Sequence, residues 1–117
     1  MENLNSRQPA GSLKISKDVI VTIARTAAKE VDGVVSLTEG ESSRLFARGI
    51  GKKPVRVVLS DDFAEIDLQL VLKAGAKIPD VCSAVQSVVK DNVQTMTGIA
   101  VSKVNIVVAG ISFPEEG

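Results

Sequence analysis

The sequence contains no histidine, no tryptophan and no tyrosine, and only one cysteine, Cys82. Without imidazole it lacks the commonest general base and the commonest metal ligand. A lone cysteine cannot close an intrachain disulfide and gives no sign of an oxidising compartment. Three phenylalanines are the only aromatics, so there are few platforms on which unpaired bases could stack. Neither sign of charge is in excess, with 14 basic and 14 acidic residues, and no global field draws the chain to nucleic acid or anionic lipid. Long apolar runs are also missing. The strongest, V-N-I-V-V-A-G-I from Val104, is strand-sized and far from the roughly 20 residues of a spanning helix. The opening M-E-N-L-N-S-R-Q-P-A-G-S has no basic region followed by an apolar stretch, so no secretory signal is expected and the chain reads as cytoplasmic.

What remains is a chain of 117 residues, 44% apolar, whose core must be built from Val, Ile, Leu and Ala. That length suits one domain, able to bury roughly 65% of its unfolded surface without metal or disulfide. Residues 1–11 are polar and are expected to form a flexible tail, with a single α/β domain over 12–113 and a short tail over 114–117.

Along the domain, Leu13 and Ile15 alternate with Ser12 and Lys14, which suits a short strand. Ser16 is a good helix N-cap and Asp18 sits in the first turn, where the helix dipole favours a negative charge. From Lys17 to Asp32 the residues Val19, Ile20, Ile23, Ala24, Ala27 and Val31 repeat at helical spacing, and Gly33 stops them. Val34–Leu37 predicts a brief strand. Residues 38–54, T-E-G-E-S-S-R-L-F-A-R-G-I-G-K-K-P, lose all periodicity and are expected to be a mobile basic loop carrying Arg44, Arg48, Lys52 and Lys53. Val55–Ser60 and Ala64–Lys73 predict two strands joined at Asp61-Asp62. A two-residue turn there sets Val57 opposite Ile66 and Arg56 opposite Asp67, while a four-residue loop suits the Asp-Asp chemistry as well. A second helix starts near Pro79, with a stripe of Cys82, Val85, Val89, Val93 and Met96 flanked by Val81 and Val88, and ends at Gly98. Val101–Ala109 predicts the last strand.

The expected order is therefore β-α-β-β-β-α-β. Clean alternation along the strands means one covered sheet face and one wet face. Two amphipathic helices supply the cover, giving a two-layer α/β sandwich on a small mixed β-sheet.

Several segments invite chemistry and fall short of it. Gly49-Ile50-Gly51-Lys52-Lys53 lacks the phosphate loop's earlier glycine, where Phe46 stands, and its Ser or Thr after the lysine, where Lys53 stands. Ser87-Val88-Val89-Lys90 matches S-x-x-K, but the partner segments of serine acyl enzymes are missing. Asp61, Asp62, Glu65 and Asp67 are the densest carboxylates, yet they miss the calcium-loop spacing, and a solvated outer face accounts for them. Cys82 lies near a helix start but among valines, as a small buried hydrophobe would. Neither catalytic residues nor a metal or cofactor are expected.

Two surfaces are left. The basic loop, through Arg44, Arg48, Lys52 and Lys53, could meet phosphates, although its G-x-G precedes a strand rather than linking two helices as in a KH domain. The wet sheet face should carry Arg56, Asp67 and Asn105 around Val58, Val71 and Val107, an apolar centre rimmed by polar groups that suits a modest protein interface.

Five phrases in order carry a resemblance: G-S-L-K-I-S (11–16), the helix from Val19 through Ala28 ending E-V-D-G-V (30–34), I-P (78–79), M-T-G (96–98) and V-N-I-V-V-A-G-I-S-F (104–113). Together they resemble the alkaline shock protein family of Gram-positive bacteria, also called the Gls or envelope stress response family. The resemblance implies an abundant cytoplasmic protein, held at the inner face of the cell membrane by a small membrane-protein partner and serving cell-envelope homeostasis. It implies no enzyme activity and no direct membrane insertion. The function expected is thus a non-enzymatic interaction or scaffold protein, a homo-oligomer or the ligand of a membrane protein. Two other readings stay open at this level: an RNA-binding domain using 44–53, and a regulatory subunit of a lipid-metabolism enzyme.

Overall fold

The computed structural model describes residues 14–37, 54–61 and 63–113. The first helix, α1 (Lys17–Lys29), begins where its sequence says it should. Ser16 is extended, with φ −75° and ψ 155°, and its Oγ accepts the Val19 N–H at 3.3 Å. Asp18 and Lys29 place a negative and a positive charge at the matching ends of the helix dipole. Ile20, Ala24, Ala27 and Ala28 are buried, while Val19, assigned to this stripe by its spacing, looks outward. Three alanines on the inner face let α1 approach the second helix closely. The strand expected across Leu13 to Ile15 lies partly outside the described residues, and Lys14–Ser16 run into α1 without regular structure. Ile15 nonetheless packs against the core.

After α1 the chain reverses at Gly33, whose φ of +100° belongs to the left-handed region, and enters β1 (Val34–Leu37). Strands β2 (Val55–Leu59) and β3 (Phe63–Lys73) form an antiparallel hairpin. Val57 faces Ile66 and Arg56 faces Asp67, and the Ser60 N–H donates to the Phe63 carbonyl at 2.8 Å. The paired register ends at Leu59 opposite Ala64, and both loop lengths the sequence allowed share it; Asp62 lies outside the described residues.

β3 is the spine of the sheet. Along one edge it pairs antiparallel with β2 over Ala64–Leu68 and with β1 over Leu70–Leu72, so β1 and β2 lie end to end. Along its other edge it pairs in parallel with β4 (Ala100–Ser112), the longest strand. The sheet is therefore mixed, as expected. Ala64, Ile66, Leu68, Leu70 and Leu72 all point to the helices and are fully buried. Each large side chain among them contributes about 1.5–3 kcal/mol of transfer free energy before the cost of ordering the chain.

The second helix, α2 (Ile78–Thr97), carries Pro79 in its first turn and ends on Gly98, whose φ of +77° completes the cap by donating its N–H to the Gln94 carbonyl at 2.9 Å. Its buried row is Val81, Val85, Val89 and Val93. Cys82 is only half-buried and Met96 is 68% exposed, so the expected stripe is shifted by one residue at its start and does not extend to Met96. The reason is geometric: an i, i+4 ridge slants across the helix, and the step after Val93 is Thr97. Thr97 turns its hydroxyl onto the Val93 carbonyl at 2.6 Å and accepts the Ile99 N–H, ending the ridge with a polar cap.

Both helices pack on one face of the sheet and against each other, α1 over β1 and β2, α2 over β4. The architecture is the two-layer α/β sandwich expected, with its core of aliphatic residues between the layers.

Candidate interaction surface

The face of the sheet away from the helices is covered by no other element among the described residues. Its composition follows from strand alternation: with Ala64, Ile66, Leu68, Leu70 and Leu72 committed to the core, Phe63, Glu65, Asp67, Gln69 and Val71 must point the other way. Register then sets their neighbours. Arg56, Asp67 and Asn105 stand in one row across β2, β3 and β4, and Val58, Glu65 and Lys103 stand in the next.

At the middle of the face is a hydrogen-bonded group. The Asn105 side-chain amide donates to Glu65 Oε2 at 3.0 Å and to Asp67 Oδ1 at 2.8 Å. Its two N–H donors are thereby spent on two carboxylates from alternate positions of one strand. This accounts for the acidic pair as a solvated, amide-bridged row. No group of three His, Cys, Asp or Glu side chains that could hold a metal ion occurs among the described residues.

The three valines do not make one centre. Val107 lies beside Gln69, and Val71 beside Gly110, placing the two valines diagonally on adjacent strands, about 8 Å apart along the backbone. Val58 is two strands across and four residues along from Val107, about 16 Å away. The Asn105 group fills the interval. Val58 instead neighbours Phe63, the first residue of β3, which is half exposed on the same face. The open face thus has two small apolar ends, Val58 with Phe63 and Val71 with Val107, separated by a polar middle. Phe63 was missed because the strand was expected to start at Ala64; the two-residue turn, taken literally, would have included it.

One irregularity shapes the second apolar end. Ala109 is an extra residue between the pairs Leu70–Val108 and Val71–Gly110. The bulge reverses the parity of β4, so that Gly110 faces outward with Val71 above it, 3.8 Å from where a Cβ would stand, and Ile111 pairs with buried Leu72.

The remaining candidates lie elsewhere. Cys82 sits on the flank of α2, where burial pushes its thiol above the ordinary range, the opposite of an activated nucleophile. Ser87 and Lys90 are exposed along α2. Arg44, Arg48, Lys52 and Lys53, with the rest of the basic loop up to residue 53, fall outside the described residues.

The comparison with protein families decides the affiliation: residues 5–113 match the profile of the alkaline shock protein 23 family, whose function is described as cell envelope-related. The chain belongs to this family. Among its relatives is the uncharacterized Bacillus subtilis (strain 168) protein YqhY, 36% identical over 88% of this chain and 78% of its own length. Another is YloU of the same organism, 32% identical over 93% of this chain and 95% of its own. Solved structures of the MamM CTD share the fold. One variant superposes with a TM-score of 0.57 over 85% of this chain and 96% of its own, at 13% identity. A zinc form of another variant gives 0.54 over 86% and 89%. The alkaline shock family expected from the five phrases is therefore the family found, one whose function is described as cell envelope-related. No helix among the described residues of this family member is long and apolar enough to cross a membrane.

Proposed function

We propose that this alkaline shock family domain acts without catalysis, as a cytoplasmic interaction module that serves the cell envelope by assembling with itself or with a membrane protein. The observation that carries this reading is the one-sided sheet. Both helices lie on one face, and the other presents two apolar ends around a polar middle. Small apolar patches set among polar groups on an open sheet face suit a modest protein interface better than a catalytic cleft. The family's envelope role supports a position near the membrane, and a protein partner would provide it without a spanning helix of the domain's own. The lack of histidine, and a lone thiol pushed toward its neutral form, support a role without acid–base or nucleophilic chemistry.

The test is a double substitution, Val71→Glu with Val107→Glu, followed by crosslinked pull-down from cells and sedimentation of the purified protein. Circular dichroism should stay that of the parent, because a partner-free outer face tolerates charge, while membrane-protein capture or self-assembly is lost. A folded double variant that captures and assembles as before would remove this face from the reading.

A further inference from the structure

The backbone of β4 is provided for unevenly. At its start, two glutamines of α2 reach it: Gln94 Oε1 accepts the Val101 N–H at 2.9 Å, and Gln86 Nε2 donates to the Val104 carbonyl at 3.0 Å. Beyond Val104, among the described residues, only β3 and the turn behind it bond to this strand. Among the described residues, no element pairs with the edge away from β3 from Asn105 to Ser112. Exposed edges are ordinarily guarded by lysine, proline or shortness. This stretch, N-I-V-V-A-G-I-S, has no charge and no proline, and Val107 is 58% exposed. The opposite side of the sheet offers no such template, since β1 and β2 break it end to end and β1 is irregular between Val34 and Ser36.

We propose that the β4 edge pairs with the same edge of a second copy, antiparallel about a two-fold axis at Val107, so that two sheets become one. The proposal rests on reading the domain as an interaction module and names one partner for it. Three features favour a second copy. Lys103 is the only charged residue of β4. With Val107 opposite Val107, and the extra residue at Ala109 shifting the pairing by one beyond it, each Lys103 falls opposite Ser112, and the two lysines stand about 27 Å apart. Sliding the register toward the strand start would set lysine against lysine, which cross-strand pairing disfavours. The same register places the two Val107 side by side on the open face, each next to its own Val71, so two half-patches join across the axis. On the helix side it sets Ile106 opposite Val108, two residues that the single chain leaves only partly buried. One pairing thus covers apolar side chains on both faces while no charge meets its like, which is the self-complementarity an isologous contact requires.

Sedimentation of the full chain tests this, with Val107→Lys and Val107→Glu as separate variants and as an equimolar mixture. The parent should sediment as a dimer and each variant as a monomer with unchanged circular dichroism. Their mixture should return to the dimer, because lysine and glutamate then meet at the axis. A parent that is monomeric throughout, a Val107→Lys variant that remains dimeric, or a mixture that stays monomeric would each overturn the pairing. If either charged variant fails to fold, Val107→Cys in a Cys82→Ser background decides instead: mild oxidation should give a crosslinked dimer, and failure to crosslink overturns the proposal. A monomeric parent that still captures a membrane protein would refute the edge pairing alone and leave the interaction-module reading intact.

Discussion

Replacing Gly33 by alanine puts a methyl group where the tertiary structure has no room for one. Gly33 has φ +100°, and its carbonyl accepts the Lys73 N–H at 2.8 Å, so the turn is fixed at the junction of α1, β1 and β3. A Cβ there would lie 2.9 Å from Cγ2 of Val81, a buried residue that starts the inner row of α2. Gly98 is the natural control. It too is left-handed, at φ +77°, but a Cβ there would meet nothing within 4 Å. Gly98→Ala should therefore cost only the backbone strain, about 1–2 kcal/mol. Gly33→Ala should cost that strain plus overpacking of about 1–3 kcal/mol. The difference, at least about 1 kcal/mol, corresponds to a further drop of about 4–8 °C in Tm for a domain of this size. Urea unfolding followed by far-ultraviolet circular dichroism is the assay, since the chain has no tryptophan or tyrosine to report by fluorescence. Adding Val81→Ala removes the clashing methyl groups, so the double variant should be more stable than the sum of its parts by about the overpacking term. Equal losses at Gly33 and Gly98, together with strict additivity in the double variant, would refute the claim that Val81 forbids a side chain at Gly33.

Two further outcomes follow from the surface. Asn105→Asp exchanges the amide that bridges Glu65 and Asp67 for a third carboxylate, and should destabilise the domain by about 1 kcal/mol at low salt, less as added salt screens the repulsion; denaturant midpoints at two salt concentrations measure it. Because burial raises the Cys82 thiol above its ordinary range, iodoacetamide at neutral pH should label it more slowly in the folded protein than in urea, with the rate in the folded protein climbing only as pH rises past the usual thiol range; mass spectrometry of timed samples reads this directly.

The structure differs from the sequence-based expectation where local pattern competes with tertiary neighbours. Helix starts and stops were legible because each is written in adjacent residues: Ser16 before Lys17, Pro79 at the head of α2, Gly98 at its end. Which α2 residues are inside was not, since Val81 and Cys82 are equally apolar by spacing and only the slant of the ridge against α1 and the sheet chooses Val81. The Asn105 bridge likewise needed the parallel register of β4 on β3, a relation between residues about 40 apart in the chain that no local signal announces.

By itself, then, the sequence determined the two helices and the alternating faces of β2 and β3, because alternation and helical periodicity depend on neighbours a few residues away. It also determined the family affiliation, and that the domain has no imidazole for catalysis. Only the tertiary structure decided that β3 is the spine, that β1 and β2 share one of its edges, and that β4 lies parallel along the other, its own far edge paired with no element among the described residues. It alone separated Val58 from Val71 and Val107, because distance across a sheet is set by strand order and register, and the bulge at Ala109 shifts that register by a residue that alternation cannot foresee.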